Sequence, residues 1–289
     1  NLGSLESLDE LEELSDLIVR ALDSLLDYQN YPVPAAQRAT DLRRTLGVGV
    51  INYAYYLAKN GVRYSDGSAN ELTHKTFEAI QYNLLKASNN LSKERGACEA
   101  FHETTYSKGI LPIDSYKKEI DKICSPELYC DWETLRKDIV EHGLRNSTLT
   151  ALMPSETSSQ IHNATNGIEP PRGFVSVKAS KDGILKQVVP EFERLKGEYE
   201  LLWNIPSNDG YLQLVGIMQK FVDQAISANT NYDPAKFDSS KVPMKVLLKD
   251  LLTAYKLGIK TLYYHNTRDG ADDQQDDLDD DCAGGACKI

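Results

Sequence analysis

Ser147-Thr148-Leu149-Thr150-Ala151-Leu152-Met153 runs without a break into Pro154-Ser155-Glu156-Thr157-Ser158-Ser159-Gln160. The first seven residues are β-compatible and apolar enough for a buried strand. The next seven form a hydroxyl-rich loop that leads into a helix. Strand, loop and helix in that order form the repeating unit of α/β folds, and the alternation continues downstream. Residues 174–178 read as a strand, 190–203 as a helix, and 208–223 as a helix with Leu212, Val215, Met218 and Val222 on one face. Residues 225–230 read as a strand, 243–257 as a helix and 259–264 as a last strand. The expectation is α/β architecture with mostly parallel pairing.

Upstream of residue 143 the pattern is helical. Leu5, Leu8, Leu11, Leu14, Ile18, Leu22 and Leu25 recur at steps of three and four until Pro32 and Pro34 end the run. A second helix is expected over 45–59, its Gly47, Gly49 and Ala54 permitting close packing, with Asn60-Gly61 as breaker. A third is expected over 70–95, stopped by Gly96, and a shorter one over 131–141, ended by Gly143. Long helices ahead of the first strand favour an enlarged barrel, or part of one, over a compact doubly wound sheet.

Hydrophobic residues make up 41% of the 289 and charged residues 26%, enough for a substantial core and against wholesale disorder. No apolar run approaches the roughly 18 residues of a membrane span. The first 30 residues carry a single Arg among many acids, the reverse of a secretory leader. The net charge of −11 argues against a nucleic-acid surface, yet −7 of it lies in residues 269–289, which hold eight Asp and one Lys. The body, residues 1–268, is therefore near balance and the last 21 residues read as a flexible acidic tail. Cys98, Cys124, Cys130, Cys282 and Cys287 are an odd number in a chain of this size, which suggests a reducing cytoplasm. No C-x-x-C pair and no His at zinc-finger spacing accompany them, so no metal site is expected.

Three places carry chemistry. The loop 153–160 offers free N–H groups and hydroxyls beyond the end of a strand, where an anion such as a phosphate is stabilised; an N-capping box over the same residues is the alternative. In Cys282-Ala283-Gly284-Gly285-Ala286-Cys287 two thiols are separated by small residues that let the chain close a disulfide, at the end of a self-repelling Asp-rich linker. That combination reads as a mobile dithiol arm. Tyr263-Tyr264 lies in the last strand, where a regular backbone sends neighbours to opposite faces, one into the core and one outward; a stacked pair requires an irregular backbone.

Taken together, these residues closely resemble the C-terminal portion of the large (α, catalytic) subunit of class I ribonucleotide reductases, near the class Ia type. The resemblance rests on Leu152-Met153-Pro154-Ser155-Glu156-Thr157-Ser158-Ser159-Gln160, Asn166-Gly167-Ile168-Glu169-Pro170-Pro171 and Asp223-Gln224-Ala225-Ile226-Ser227-Ala228-Asn229, followed by Tyr263-Tyr264 and the terminal Cys282 and Cys287. It covers essentially the whole chain. It implies the C-terminal half of a ten-stranded α/β barrel with surrounding helices. In the family the Pro-Ser-Glu-Thr-Ser loop, here Pro154, Ser155, Glu156, Thr157 and Ser158, cradles the diphosphate of a ribonucleoside diphosphate. The tyrosine pair, Tyr263 and Tyr264, relays a radical from the diiron-tyrosyl β subunit. Cys282 and Cys287 take electrons from thioredoxin or glutaredoxin and re-reduce the active-site disulfide. The chain itself is expected to bind no cofactor.

The departures are equally specific. The family's radical-bearing cysteine sits in an Asn-x-Cys-x-Glu loop, and none of the five cysteines here has Asn two before and Glu two after. One active-site dithiol partner normally stands immediately before the Asn-Leu-Gly seen here as Asn1-Leu2-Gly3. Cys98, Cys124 and Cys130 match none of these roles. The expectation is a piece of a divided subunit, inactive alone and joined by an N-terminal portion. A non-catalytic decoy or regulator of the β subunit is the alternative, though it would need neither the tyrosine pair nor the dithiol. A stand-alone thiol oxidoreductase would lack the C-x-x-C at a helix start that lowers a thiol pKa.

Overall fold

The computed structural model describes residues 1–180 and 183–268. Its helical part begins with α1 (Leu11–Tyr28), preceded by a capping box in which the Ser7 hydroxyl accepts from Asp9 N–H and Glu10 Oε1 accepts from Ser7 N–H. Proline at its start opens α2 (Pro34–Arg43), and the buried α3 (Tyr53–Lys59) follows. The long α4 (Asn70–Arg95) buries one face along its length and stops at Gly96. A single turn, α5 (Pro112–Ser115), precedes α6 (Trp132–His142), whose N-cap Asp131 accepts from Thr134 N–H and whose C-cap is Gly143 at φ 77°. α4 packs against α1, α6 and the later helix over Asp209–Phe221. No helix among the described residues is long and apolar enough to cross a membrane.

The second half mixes helices and strands: α7 (Glu156–Ile161), β1 (Val175–Ser180), β2 (Gly183–Val188), α8 (Phe192–Leu195), α9 (Asp209–Phe221), β3 (Ala228–Tyr232), α10 (Met244–Lys256) and β4 (Leu262–Thr267). Four extended segments lie side by side in chain order and all run parallel. Val48 bridges Thr150, Leu152 bridges Ile226, and β3 pairs with β4. Helices make the crossovers, α3, α4 and α6 before the second segment, α7 and α9 before the third and α10 before the fourth, as parallel pairing requires. The arc is open at both edges. Among the described residues the backbone groups of Gly47 and Gly49 bond to nothing, and β4 pairs with no strand beyond β3.

Three expectations need correction. Residues 45–52 are not helical: Val48 makes a parallel bridge, Asn52 turns at φ 69°, and α3 starts only at Tyr53. Leu46, Val48 and Val50 alternate with glycines at period two, and a Cβ on Gly49 would stand 2.7 Å from the Ala151 carbonyl oxygen and 2.8 Å from Met153 Sδ. The glycines serve the approach of a neighbouring strand, not of a helix. The helix expected over 190–203 is only the single turn α8 and a 3₁₀ turn at Leu202–Asn204, since Glu191 at φ 51° breaks the backbone before it and the chain turns at Gly197. The strand expected over 174–178 is real, but it pairs antiparallel with β2 as a hairpin outside the parallel arc.

Two polar clusters fix the arc. The half-buried Asp223 carboxylate accepts from Leu149 N–H (2.8 Å), Thr150 N–H (2.9 Å) and the Tyr106 hydroxyl (3.0 Å), taking up the backbone donors where the second segment begins. Its neighbour Gln224 donates from Nε2 to the carbonyls of Leu46 and Thr150, spanning three segments. On the helical side, fully buried Asp23 of α1 meets Arg44 Nε at 2.6 Å, Arg145 Nε at 3.3 Å and Asn146 Nδ2 at 3.2 Å. Arg44, at φ 46°, ends α2 and aims its guanidinium back at α1, joining the shell to the first parallel segment.

Candidate functional site

Parallel strands leave their carboxyl ends free for ligands, because the crossover loops there can be shaped without disturbing the ladder. A cavity of about 520 Å³ opens at that end of the arc. Its wall includes Pro154 and Glu156 from the loop after the second segment, Asn229 and Asn231 from β3, Tyr264 and Asn266 from β4, and Glu169 from the Asn166–Pro171 turn. The β1–β2 hairpin closes one side with Ser176, Val177, Gln187 and Val188. The hairpin is tied down by Gln187, whose Nε2 donates to the Ala164 carbonyl at 3.1 Å.

The loop 154–158 is built to leave donors free. Ser155 is the N-cap residue of α7, yet its hydroxyl donates to the Met153 carbonyl (3.2 Å) and caps nothing. The capping-box alternative is therefore overturned. Ser155 N–H is held by Asn166 Oδ1 at 3.0 Å. The N–H groups of Thr157 and Ser158, orphaned as in any first helical turn, have no hydrogen-bond partner among the described residues. The Thr157 side chain is exposed; the Ser158 hydroxyl donates to the Ser155 carbonyl at 3.2 Å. Of the five expected loop residues, Pro154 and Glu156 line the cavity, while Ser155 is buried and Thr157 and Ser158 are exposed on α7, where Ser159 and Gln160 are the other residues facing the cavity.

Tyr263 and Tyr264 do not split between core and surface as a regular strand dictates. Both are about half exposed, at 52% and 55%, and their ring centroids are 4.2 Å apart with planes inclined by 53°. The β3–β4 register slips between Ala228 and Thr230, so the backbone at the pair is irregular, and the two rings meet in a tilted contact. The Tyr263 phenol beside it raises that of Tyr264 above the ordinary value. Glu169 is raised as well, by burial, against the lowering effect of its bond from Asn229 Nδ2 (2.6 Å).

Cys282 and Cys287, with the whole acidic segment 269–289, lie outside the described residues. The other three cysteines are free thiols: Cys98 and Cys124 are buried and Cys130 half-buried, and burial pushes Cys124 up to about 11 and Cys130 to about 12. Such thiols are poor nucleophiles at neutral pH.

A second cavity, about 540 Å³, opens at the opposite, amino-terminal end of the arc. Two of its cationic side chains are engaged internally: Lys260 Nζ donates to the carbonyls of Asp223 (2.7 Å) and Gln224 (3.0 Å), and Arg43 pairs with Glu103 at 2.6 Å.

Sequence reasoning missed Glu169, Asn166, Asn231 and the hairpin as parts of this wall. A signal for the asparagines was present, because Asn229 and Asn231 repeat at period two and so share a face at the end of a strand.

The sequence profile of the family described as ribonucleotide reductase, barrel domain, matches residues 3–199 and 193–265. The chain is 79% identical over 289 residues to the ribonucleoside-diphosphate reductase subunit alpha of Haemophilus influenzae, covering all of this chain and 38% of that protein. It is 74% identical over 269 residues to ribonucleoside-diphosphate reductase 1 subunit alpha of Escherichia coli, covering 91% of the chain and 35% of the relative. The corresponding subunit of Enterobacteria phage T4 is 52% identical over 287 residues, 97% of the chain and 37% of the relative. The chain thus spans somewhat more than a third of the length of these relatives. With a profile matching nearly its whole length and relatives of this identity, the chain belongs to the ribonucleotide reductase family and forms part of the barrel domain of its α subunit.

Proposed function

We propose that this chain is the portion of a ribonucleoside-diphosphate reductase α subunit that holds the substrate diphosphate and receives the radical, acting together with the remainder of that subunit. The observation that carries the reading is the meeting of Pro154 and Glu156 of the loop with Tyr264 on one cavity. The open edges of the four-segment arc support completion by further strands, as in a ten-stranded barrel.

The reaction replaces the ribose 2′-hydroxyl by hydrogen. A dithiol gives up two electrons and two protons, leaving a disulfide and water, and the product is the 2′-deoxyribonucleoside diphosphate. In this chain the free N–H groups of Thr157 and Ser158 and the Thr157 hydroxyl donate to the diphosphate oxygens. Tyr263 and Tyr264 each lose a phenolic hydrogen atom and regain one, so the radical passes through the pair without net change. Cys282 and Cys287 restore the active-site dithiol by thiol–disulfide exchange and are themselves re-reduced by thioredoxin or glutaredoxin.

The radical comes from a diiron-tyrosyl β subunit. α10 supports a docking surface for it. Met244, Leu248, Leu251, Leu252 and Tyr255 form an exposed apolar stripe, while Asp250 points inward to accept from Asn208 Nδ2 (2.8 Å) and the Tyr232 hydroxyl (3.0 Å). This inverted helix leads directly into β4 and the tyrosine pair.

The test joins this chain to the remainder of its subunit, the β subunit and reduced thioredoxin, and measures deoxyribonucleoside diphosphate formed. Turnover is expected with the native sequence and its loss with Tyr263→Phe, Tyr264→Phe or Cys282→Ser, substrate affinity being kept in each. Full turnover in either tyrosine variant defeats the relay, and full thioredoxin-driven turnover in Cys282→Ser defeats the dithiol assignment.

A further inference from the structure

β3 and β4 do not pair residue for residue. Ala228 stands opposite Leu262 and Thr230 opposite His265, so Asn229 alone faces two residues, Tyr263 and Tyr264. Two residues against one is a bulge: it breaks the ladder, leaves a backbone group without its regular partner and re-aims the side chains there. Both effects are visible at this point. The two aromatic rings lie on one side of the strand in contact with each other. The Tyr264 N–H finds its acceptor in a side chain, Oδ1 of Asn229, at 3.0 Å.

Asn229 is itself buried, so its other end needs a partner too. Nδ2 donates to Glu169 Oε1 at 2.6 Å. Glu169 is in turn held by its own N–H, which donates to the Asn166 carbonyl at 3.2 Å, and Asn166 Oδ1 accepts from Ser155 N–H at 3.0 Å. An unbroken set of hydrogen bonds thus runs from the bulge at Tyr264 to the loop at Ser155. Only an amide fits at position 229, because one end must accept from a backbone N–H while the other donates to a carboxylate.

We propose that Asn229, anchored by the Glu169 carboxylate, is the positioning residue of the tyrosine pair, fixing the β4 bulge that brings the rings of Tyr263 and Tyr264 into contact. The inference rests on the relay reading above and deepens it. Neither Asn229 nor Glu169 exchanges hydrogen with the radical; they set the distance and angle between the two rings.

The test uses the assembled α subunit with its β subunit. Asn229→Asp keeps the acceptor for Tyr264 N–H but sets a carboxylate against Glu169. The double variant Asn229→Asp with Glu169→Gln restores the bond with donor and acceptor exchanged. Asn229→Asp is expected to lower kcat about tenfold or more, and the double variant to recover most of the loss. Wild-type kcat in Asn229→Asp, or a loss that the second substitution leaves in place, overturns the proposal. Should Asn229→Asp fail to fold, Glu169→Leu and Glu169→Gln carry the same test: the leucine variant is expected to lose more kcat than the glutamine variant, and equal losses overturn the proposal. Tyr264→Phe runs alongside. Full turnover there sinks the relay itself, whereas an inactive Tyr264→Phe beside a fully active Asn229→Asp sinks only the positioning role.

Discussion

Lys220 Nζ lies 2.9 Å from Nε2 of His74, with both side chains buried where α9 packs on α4. An ammonium only donates, so Nε2 must accept and the imidazole is neutral, its proton on Nδ1, which faces Glu78 Oε2 at 3.8 Å. Burial, helped by the Lys220 charge, pushes His74 down to about 4. Unfolded, the same histidine takes a proton near pH 6.5. Between these values the unfolded chain binds more protons, so stability from this group is full above about pH 6.5 and drains away as pH falls toward 4. The complete loss is on the order of 3 kcal/mol. In urea titrations the gap between native protein and His74→Gln should narrow from pH 7 to pH 4.5. A gap that stays constant contradicts a buried neutral His74.

Asp23 supports a sharper stability prediction. Its carboxylate is fully buried, with Arg44, Arg145 and Arg95 around it at 2.6, 3.3 and 3.5 Å. Removing one member of a buried ionic cluster leaves the others desolvated without compensation, which costs about 3–5 kcal/mol. Asp27, 2.8 Å from Arg44 Nη1 but largely exposed, offsets only part of that. Asp23→Ala should therefore shift the denaturant midpoint by far more than Asp27→Ala, and equal shifts would show that the buried carboxylate is not the hub.

These buried clusters mark the limit of what the primary sequence reveals. Amphipathic spacing made α1, α4, α6, α9 and α10 legible, because leucine and isoleucine at three- and four-residue steps have one structural meaning. The 45–50 segment was not legible in that way: its glycines read as helix-packing residues until Ala151 and Met153 of the neighbouring strand were seen against Gly49. The site divided along the same line. Ser and Thr after a strand announced an anion loop locally. The contact of Tyr263 with Tyr264 depends on a register slip against β3, a long-range property that no local pattern encodes. Glu169 was invisible for the same reason, since its role comes from Asn229, 60 residues away in the chain.

The stripe on α10 gives a prediction about assembly. Leu248 and Leu251 are 52% and 53% exposed, on the helix that leads into the tyrosine strand. Burying one leucine against a partner contributes roughly 1.5–3 kcal/mol. Leu248→Glu or Leu251→Glu should thus weaken β-subunit binding by roughly tenfold or more, while substrate affinity stays as it was. A titration of the β subunit by tryptophan quenching or surface capture reads this directly. Unchanged affinity in both variants would place the β subunit on another face.

The 154–158 loop makes the most discriminating prediction, because two adjacent hydroxyls differ in what they already do. Ser158 Oγ is committed to the Ser155 carbonyl at 3.2 Å and must break that bond before it can serve a ligand. Thr157 is exposed, with no such commitment among its hydrogen bonds, and its hydroxyl and N–H sit on the same first turn of α7. A hydrogen bond to a charged phosphate oxygen contributes about 1.5–3 kcal/mol, or roughly 10- to 150-fold in affinity. Thr157→Val, which keeps the shape and the N–H but deletes the hydroxyl, should weaken ribonucleoside diphosphate binding within that range. Ser158→Ala should cost less, since the lost ligand bond is offset by a Ser155 carbonyl that remains free for water. The nucleoside without its phosphates should bind both variants and the native protein alike. If Thr157→Val weakens nucleoside and diphosphate equally, the loop shapes the cavity without holding the phosphates.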